Sequence, residues 1–157
     1  MALRRGLRLQ AVLVGAAAVV YGLDRLTKLL VQHYLAGRPP AELIPHVLRL
    51  TYTLNSGGAF GLFPRQPWVF FTATVVVCLA IVAGSFRLSS RLTAIGTGMI
   101  LGGALGNLTD RLLHGAGVSG RVVDFIDFRV WPVFNVADAS IVLGAAIVVL
   151  AGMRRRP

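Results

Sequence analysis

Three of the chain's six carboxylates, Asp124, Asp127 and Asp138, fall within the stretch RVVDFIDFRVWPVFNVADAS, from Arg121 to Ser140, which leads into the last long apolar run. Ionisable groups at a hydrocarbon boundary are costly and so point to function. Two carboxylates brought together at low dielectric cannot both ionise; one pKa rises and the pair shares a proton. One member can then draw a proton from water while the other protonates a departing amine, which is peptide hydrolysis without a metal or a covalent intermediate. The expected pair is Asp124 and Asp138, meeting where the chain folds back. Asp127 is expected to face water or to pair with Arg129. Metal hydrolysis finds no support, because His33, His46 and His114 lack any HExxH-like spacing. Ser56, Ser119 and Ser140 likewise stand in no recognisable triad motif. No metal and no cofactor are expected.

The elements that must hold such a pair are apolar. Hydrophobic residues make up 55% and charged residues 14% of the chain, and the mean hydropathy is +0.73, too high for a soluble domain of 157 residues. Several runs reach the roughly 20 residues that cross a bilayer as helix. The net charge of +10 is placed in clusters: Arg4, Arg5 and Arg8 before the first run, Arg87 and Arg91 between the second and third, and Arg154 to Arg156 at the end. That alternation fits the positive-inside rule and not nucleic-acid binding. Cys78, the single cysteine, sits inside an apolar run and can form no internal disulfide.

One integral membrane domain is expected over residues 1–157, with spans at about 9–34, 67–86, 92–113 and 134–153 and outer connections at 35–66 and 114–133. The basic start and the run after it look like a signal peptide, but apolar character resumes beyond Asp24, so an uncleaved first helix is expected. Asp24 and Lys28 stand at i,i+4 and are expected to pair towards the bundle interior. Leu48 to Leu54 alternates apolar and polar residues as a half-buried strand does, and Asn55-Ser-Gly-Gly58 is turn material. The third span is rich in glycine and alanine, as suits a helix at the centre of a bundle, and ends in Asn107, Thr109, Asp110 and Arg111. Asp110 is expected to hold a neighbouring loop. Residues 122–133 are expected to be extended. Asn55 and Asn135 either cap local turns or contact substrate or the pair. A proton-coupled carrier using Asp24, Lys28 and Asp138 is the alternative; it predicts broken helices and ionisable groups near the midplane.

Five segments in order resemble the bacterial lipoprotein signal peptidases (signal peptidase II) over nearly the whole chain: Asp24-Arg-Leu-Thr-Lys28, Asn55-Ser-Gly-Gly-Ala-Phe60, Gly102-Gly-Ala-Leu-Gly-Asn-Leu-Thr-Asp-Arg111, Val123-Asp-Phe-Ile126 and Phe134-Asn-Val-Ala-Asp-Ala-Ser-Ile141. Gly58 departs from the family's usual alanine, and Thr109 from a commonly apolar residue. The resemblance implies an all-α polytopic fold of four transmembrane helices with a small extracytoplasmic β-cradle built from the outer loops. It implies an aspartic endopeptidase of the bacterial inner membrane, multi-pass, with both termini cytoplasmic and the active site near the outer face. The implied substrates are diacylglyceryl prolipoproteins, cut just before the lipidated cysteine. Membrane lipid is the other implied partner, and the cyclic peptide globomycin the implied inhibitor. By position, Asp124 and Asp138 match the catalytic pair. Asn55, Gly57, Asn107, Arg111 and Asn135 match residues lining the site, and Asp24, Lys28 and Asp110 supporting polar positions.

Overall fold

Helix α3 (Arg91–Leu113) is the element on which α1 (Ala2–Leu35), α2 (Pro67–Gly84) and α4 (Val136–Met153) pack. Glycine spacing explains how. Gly98 and Gly102 lie one turn apart on the face towards α1, and Gly96 and Gly103 lie two turns apart on the face towards α4. A Cβ at Gly98 or Gly102 would stand 2.4 Å from the carbonyl oxygen of Leu13 or Ala17, and one at Gly103 2.6 Å from that of Ala137. Backbones therefore touch on both sides, which gives the dispersion contact that must replace hydrophobic driving force in lipid. Leu13, Ala17, Ala94 and Leu101 form the buried cluster at this junction, with Cys78 packed against it.

The computed structural model describes residues 2–57, 66–115 and 120–154. Gly58, Ala59, Phe60 and Ser119, singled out in the sequence, lie outside the described residues. Among the described residues, four helices are long and apolar enough to cross a membrane. α2 presents apolar side chains such as Val76, Leu79 and Val82 outward, the surface that hydrocarbon covers. None of the four helices is interrupted along its length, contrary to what a carrier requires. α1 begins at Ala2, ahead of the apolar run, so Arg4, Arg5 and Arg8 ride on helix and not on a tail.

At one end of the bundle sits an antiparallel sheet in the order β1-β2-β3, from β1 (Ala41–Ile44), β2 (Leu48–Asn55) and β3 (Val122–Asp127). β2 is the alternating segment expected; β1, between Pro40 and Pro45, was not expected. Arg49 pairs with Asp127 and Thr53 with Asp124, with a shift of register between Leu50 and Thr53. The shift matters because Arg49 and Asn55 would share one face of a regular strand, whereas Asp127 and Asp124 lie on opposite faces of β3. One extra residue on β2 resolves the mismatch, and Arg49 meets Asp127 while Asn55 meets Asp124.

The expected extension through residue 133 stops at Asp127. Arg129 takes a positive φ of 63°, and the chain reverses so that Phe134 exchanges backbone hydrogen bonds with Ile126 at 2.8 and 3.1 Å. The rings of Phe128 and Phe134 stack across this reversal, 6.0 Å apart. Pro132 could donate no ladder bond there. The return delivers Asn135 to the start of α4.

Candidate active site

Asn135 is the junction of the site. As N-cap of α4 its side-chain oxygen accepts the Asp138 N–H at 2.9 Å, and its own backbone N–H donates to Asp138 Oδ2 at 3.3 Å, a reciprocal capping box. Its amide nitrogen donates to Asp124 Oδ1 at 2.7 Å. One fully buried residue therefore binds both carboxylates. Asp124 comes from β3 and Asp138 from the first turn of α4, and both line a cleft of about 530 Å³. Asn55 completes the hold on Asp124, donating to Oδ2 at 2.8 Å while its oxygen accepts the Gly57 N–H at 2.9 Å. The two asparagines thus do both things left open by the sequence: each caps a turn or helix, and each touches Asp124.

Asn107 fixes Asp138 from the other side. Its amide nitrogen donates to Asp138 Oδ1 at 2.8 Å. Its oxygen accepts from Lys28 Nζ at 2.9 Å and from the Asn135 amide at 3.2 Å. Two donors on the oxygen leave only one orientation for the amide, the one that serves Asp138.

Lys28 is buried between carboxylates, 2.8 Å from Asp24 Oδ2 and 2.9 Å from Asp110 Oδ2. Asp24 also accepts the Ala137 N–H at 3.0 Å, tying α1 to the start of α4. Asp110 accepts the Val123 N–H at 3.0 Å, tying α3 to β3, and pairs with Arg25 as well. Arg25 was not singled out in the sequence; only its place one residue after Asp24, inside the first motif, hinted at it. Gly106 lets this cluster close, since a Cβ there would stand 2.3 Å from Asp24 Oδ2.

Arg111, nearly buried, also lines the cleft; it reaches the carbonyl oxygens of Asn107 at 3.4 Å and Gly57 at 3.5 Å. Three buried carboxylates, Asp24, Asp110 and Asp124, and the half-buried Asp138 thus face three cations, Arg25, Lys28 and Arg111. A single proton on the Asp124–Asp138 pair leaves the cluster neutral. In keeping with this, burial and then the charge of Asp138 push the Asp124 carboxyl up to about 7, against the pull of the Asn55 and Asn135 N–H donors.

Asp127 stands apart and meets the expectation in part, since it bonds to Arg129 through that residue's backbone N–H. It neither faces water nor pairs with the Arg129 side chain; it is 5% exposed and accepts from Arg49 Nε at 2.6 Å and from the Arg129 backbone N–H at 2.7 Å. Those donors, the Arg129 N–H first, hold its carboxyl below the usual range. The Arg129 side chain pairs with Glu42 instead, joining β1 to the reversal. The rest of the cleft is apolar wall: Trp131, Pro132, Val133, Phe134, Ile141, Val142 and Leu143, none of which the sequence marked as site residues. Among the described residues no group of three His, Cys, Asp or Glu is placed to hold a metal ion.

A family model described as signal peptidase (SPase) II matches residues 16–154. The chain is similar to the lipoprotein signal peptidase of Pelotomaculum thermopropionicum, 43% identical over 136 residues that cover 85% of this chain and 86% of that protein. It is similar to that of Syntrophomonas wolfei as well, 43% identical over 137 residues, 87% and 89% of the two chains. Among solved structures, a bacterial membrane enzyme determined by the in meso method at 2.3 Å resolution matches with a TM-score of 0.77 and 28% identity, over 90% of this chain and 87% of that one. On the sequence match and the four-helix fold alike, this chain belongs to the signal peptidase II family of membrane peptidases.

Proposed function

We propose that the chain is an aspartic endopeptidase that removes the signal peptide from diacylglyceryl-modified prolipoproteins, cutting just before the lipidated cysteine. The observation that carries this reading is the bridge of Asn135 between Asp124 and Asp138 at the mouth of a largely apolar cleft. Burial, and then the Asp138 charge, push the Asp124 carboxyl up to about 7, so that below neutral pH it carries the proton. Asp138 stands at the N-terminal end of α4, where the helix dipole accommodates a negative charge. Asp138 takes a proton from a water molecule, whose oxygen bonds to the scissile carbonyl carbon. Asp124 gives its proton to the nitrogen of the departing cysteine as the C–N bond breaks. The released peptide acid and the new amine balance the water consumed.

The substrate's extended segment lies against the sheet, and its acyl chains lie along the wall of Val133, Ile141, Val142 and Leu143. The arginines at the opposite end of the bundle support a bacterial inner-membrane orientation with both termini cytoplasmic and the cleft at the outer face. Globomycin, as a peptide with a lipid tail, would compete for the same cleft.

Asp124→Asn and Asp138→Asn keep side-chain size while removing the proton chemistry. Each is expected to lower kcat on a lipidated lipobox peptide by about 10²- to 10⁴-fold, the usual worth of a general acid or base. Both should still bind globomycin. Wild-type cleavage by either folded variant would end the proposal.

A further inference from the structure

At the end of the bundle remote from Asp124 and Asp138, α1 begins, α2 runs into a single 3-10 turn (Ser85–Arg87), and α3 starts. Arg4, Arg5, Arg8, Arg87 and Arg91 gather here, and no ion pair involves any of them among the described residues. All six carboxylates lie elsewhere: Asp24 in the far half of α1, Glu42 in β1, Asp110 in the last turn of α3, Asp124 and Asp127 in β3, and Asp138 in the first turn of α4.

Between α1 and the α2–α3 connection lies an open crevice of about 820 Å³, lined by Arg5, Arg8, Leu9, Phe86, Leu88 and Ser89. Arg5 and Arg8 stand at i,i+3, one above the other on a single face of α1. Arg5 reaches across to the Ser89 carbonyl at 3.4 Å. Leu9 and Leu88 pack back against the buried cluster of the bundle, while Phe86 is 79% exposed. Two guanidinium groups with no carboxylate partner among the described residues therefore share one cavity with an apolar wall, at the level where hydrocarbon gives way to water. Water can solvate the charges but not the wall. A phosphodiester carrying acyl chains suits both, since guanidinium binds phosphate through paired N–H donors.

We propose that this crevice is a binding site for an anionic phospholipid, with Arg5 and Arg8 on the headgroup phosphate and Leu9, Phe86 and Leu88 along the first part of the acyl chains. A zwitterionic lipid offers the same phosphate, but its ammonium meets a surface of unpaired arginines. Free phosphate offers the same oxygens and gains nothing from the wall. The bound lipid would pin the first turns of α1 to the α2–α3 connection.

The test uses the full chain carrying Phe86→Trp, in phosphatidylcholine vesicles doped with brominated phosphatidylglycerol or, separately, brominated phosphatidylcholine at the same mole fraction. Trp68 and Trp131 stand at the other end, and the unsubstituted protein gives their background. The tryptophan at position 86 should be quenched more by the brominated anionic lipid. Adding Arg5→Gln and Arg8→Gln should reduce that preference by about 25-fold, given roughly fivefold for each of two cations at a membrane surface. Adding Arg4→Gln and Arg91→Gln, an equal change of charge at the same end, should reduce it much less. Equal quenching by the two lipids overturns the proposal, as does equal loss in the two arginine pairs, which would mean diffuse attraction and no site. Displacement of the lipid by millimolar inorganic phosphate overturns it in favour of a free anion.

Discussion

Near neutral pH the Asp124 carboxyl divides between its two protonation states, because burial and the Asp138 charge push it up to about 7. If it is the acid that protonates the departing amine, kcat/KM must fall on the alkaline side as that proton is lost, with a limb near pH 7. Asn55→Ala removes an N–H donor that pulls Asp124 down, so the alkaline limb should move to higher pH, whereas Asp127→Asn should leave it in place. A pH profile of cleavage for the three proteins checks this, and an unmoved limb in Asn55→Ala would assign the proton elsewhere. For stability the sign follows from a folded value raised above the unfolded one: the folded state holds this proton more tightly. That contribution is complete in acid and is lost as the pH rises through about 7. Asp124 and Asp138 could be read from the sequence because carboxylates are so few and so badly placed for lipid. Arg25 and the Arg49–Asp127 pair could not. Their meaning depends on which residue of a distant element stands opposite, and nothing local records that.

Helices and strands were legible to different degrees for a physical reason. Apolar runs of about 20 residues announce spans on their own, and β2 is long enough to show its alternation. β1 has four residues, too few to show a period, and the bulge on β2 that lets Asn55 reach Asp124 arises only from pairing. The reversal at residues 128–133 hangs on Arg129 adopting a positive φ, which its residue type does not announce. What holds these elements together is the buried group of Asp24, Lys28 and Asp110. Lys28→Met would leave Asp24 without its cation and Asp110 with Arg25 alone, and would take from the Asn107 oxygen one of its two donors. Removing one partner of a buried pair costs about 3–5 kcal/mol, so the midpoint of denaturation in detergent should fall by a corresponding amount. Cleavage should fall further than stability explains, because Asn107, held by Asn135 alone, keeps its donor on Asp138 less firmly. Gly106→Ala, which adds a Cβ 2.3 Å from Asp24 Oδ2, should produce a weaker version of the same defect. A Lys28→Met protein as stable and active as wild type would show that the cluster supports nothing.

Across the whole molecule the carboxylates lie at one end of the bundle and the unpaired arginines at the other, and the cleft opens beside the first two turns of α4. On the proposed function, this placement determines how a lipid-bearing substrate is selected. Its acyl chains already lie in hydrocarbon, so moving them onto the wall of Val133, Ile141 and Val142 exchanges one apolar surface for another and gains little transfer energy. Their effect is positional: anchored chains set the depth of the peptide, and depth brings the scissile carbonyl to Asp124 and Asp138. Orientation of this kind acts on the reacting state more than on binding. An unlipidated lipobox peptide of the same sequence is therefore expected to lose kcat by about 10²-fold or more, beyond any rise in KM. A lipidated peptide whose acyl chains are joined to the cysteine through a spacer about one residue longer should bind like the parent and be cut about as poorly. Measuring kcat and KM for the three peptides in one bilayer composition separates the cases. A loss confined to KM would mean that the wall only gathers substrate, and equal cleavage of all three would mean that the lipid positions nothing.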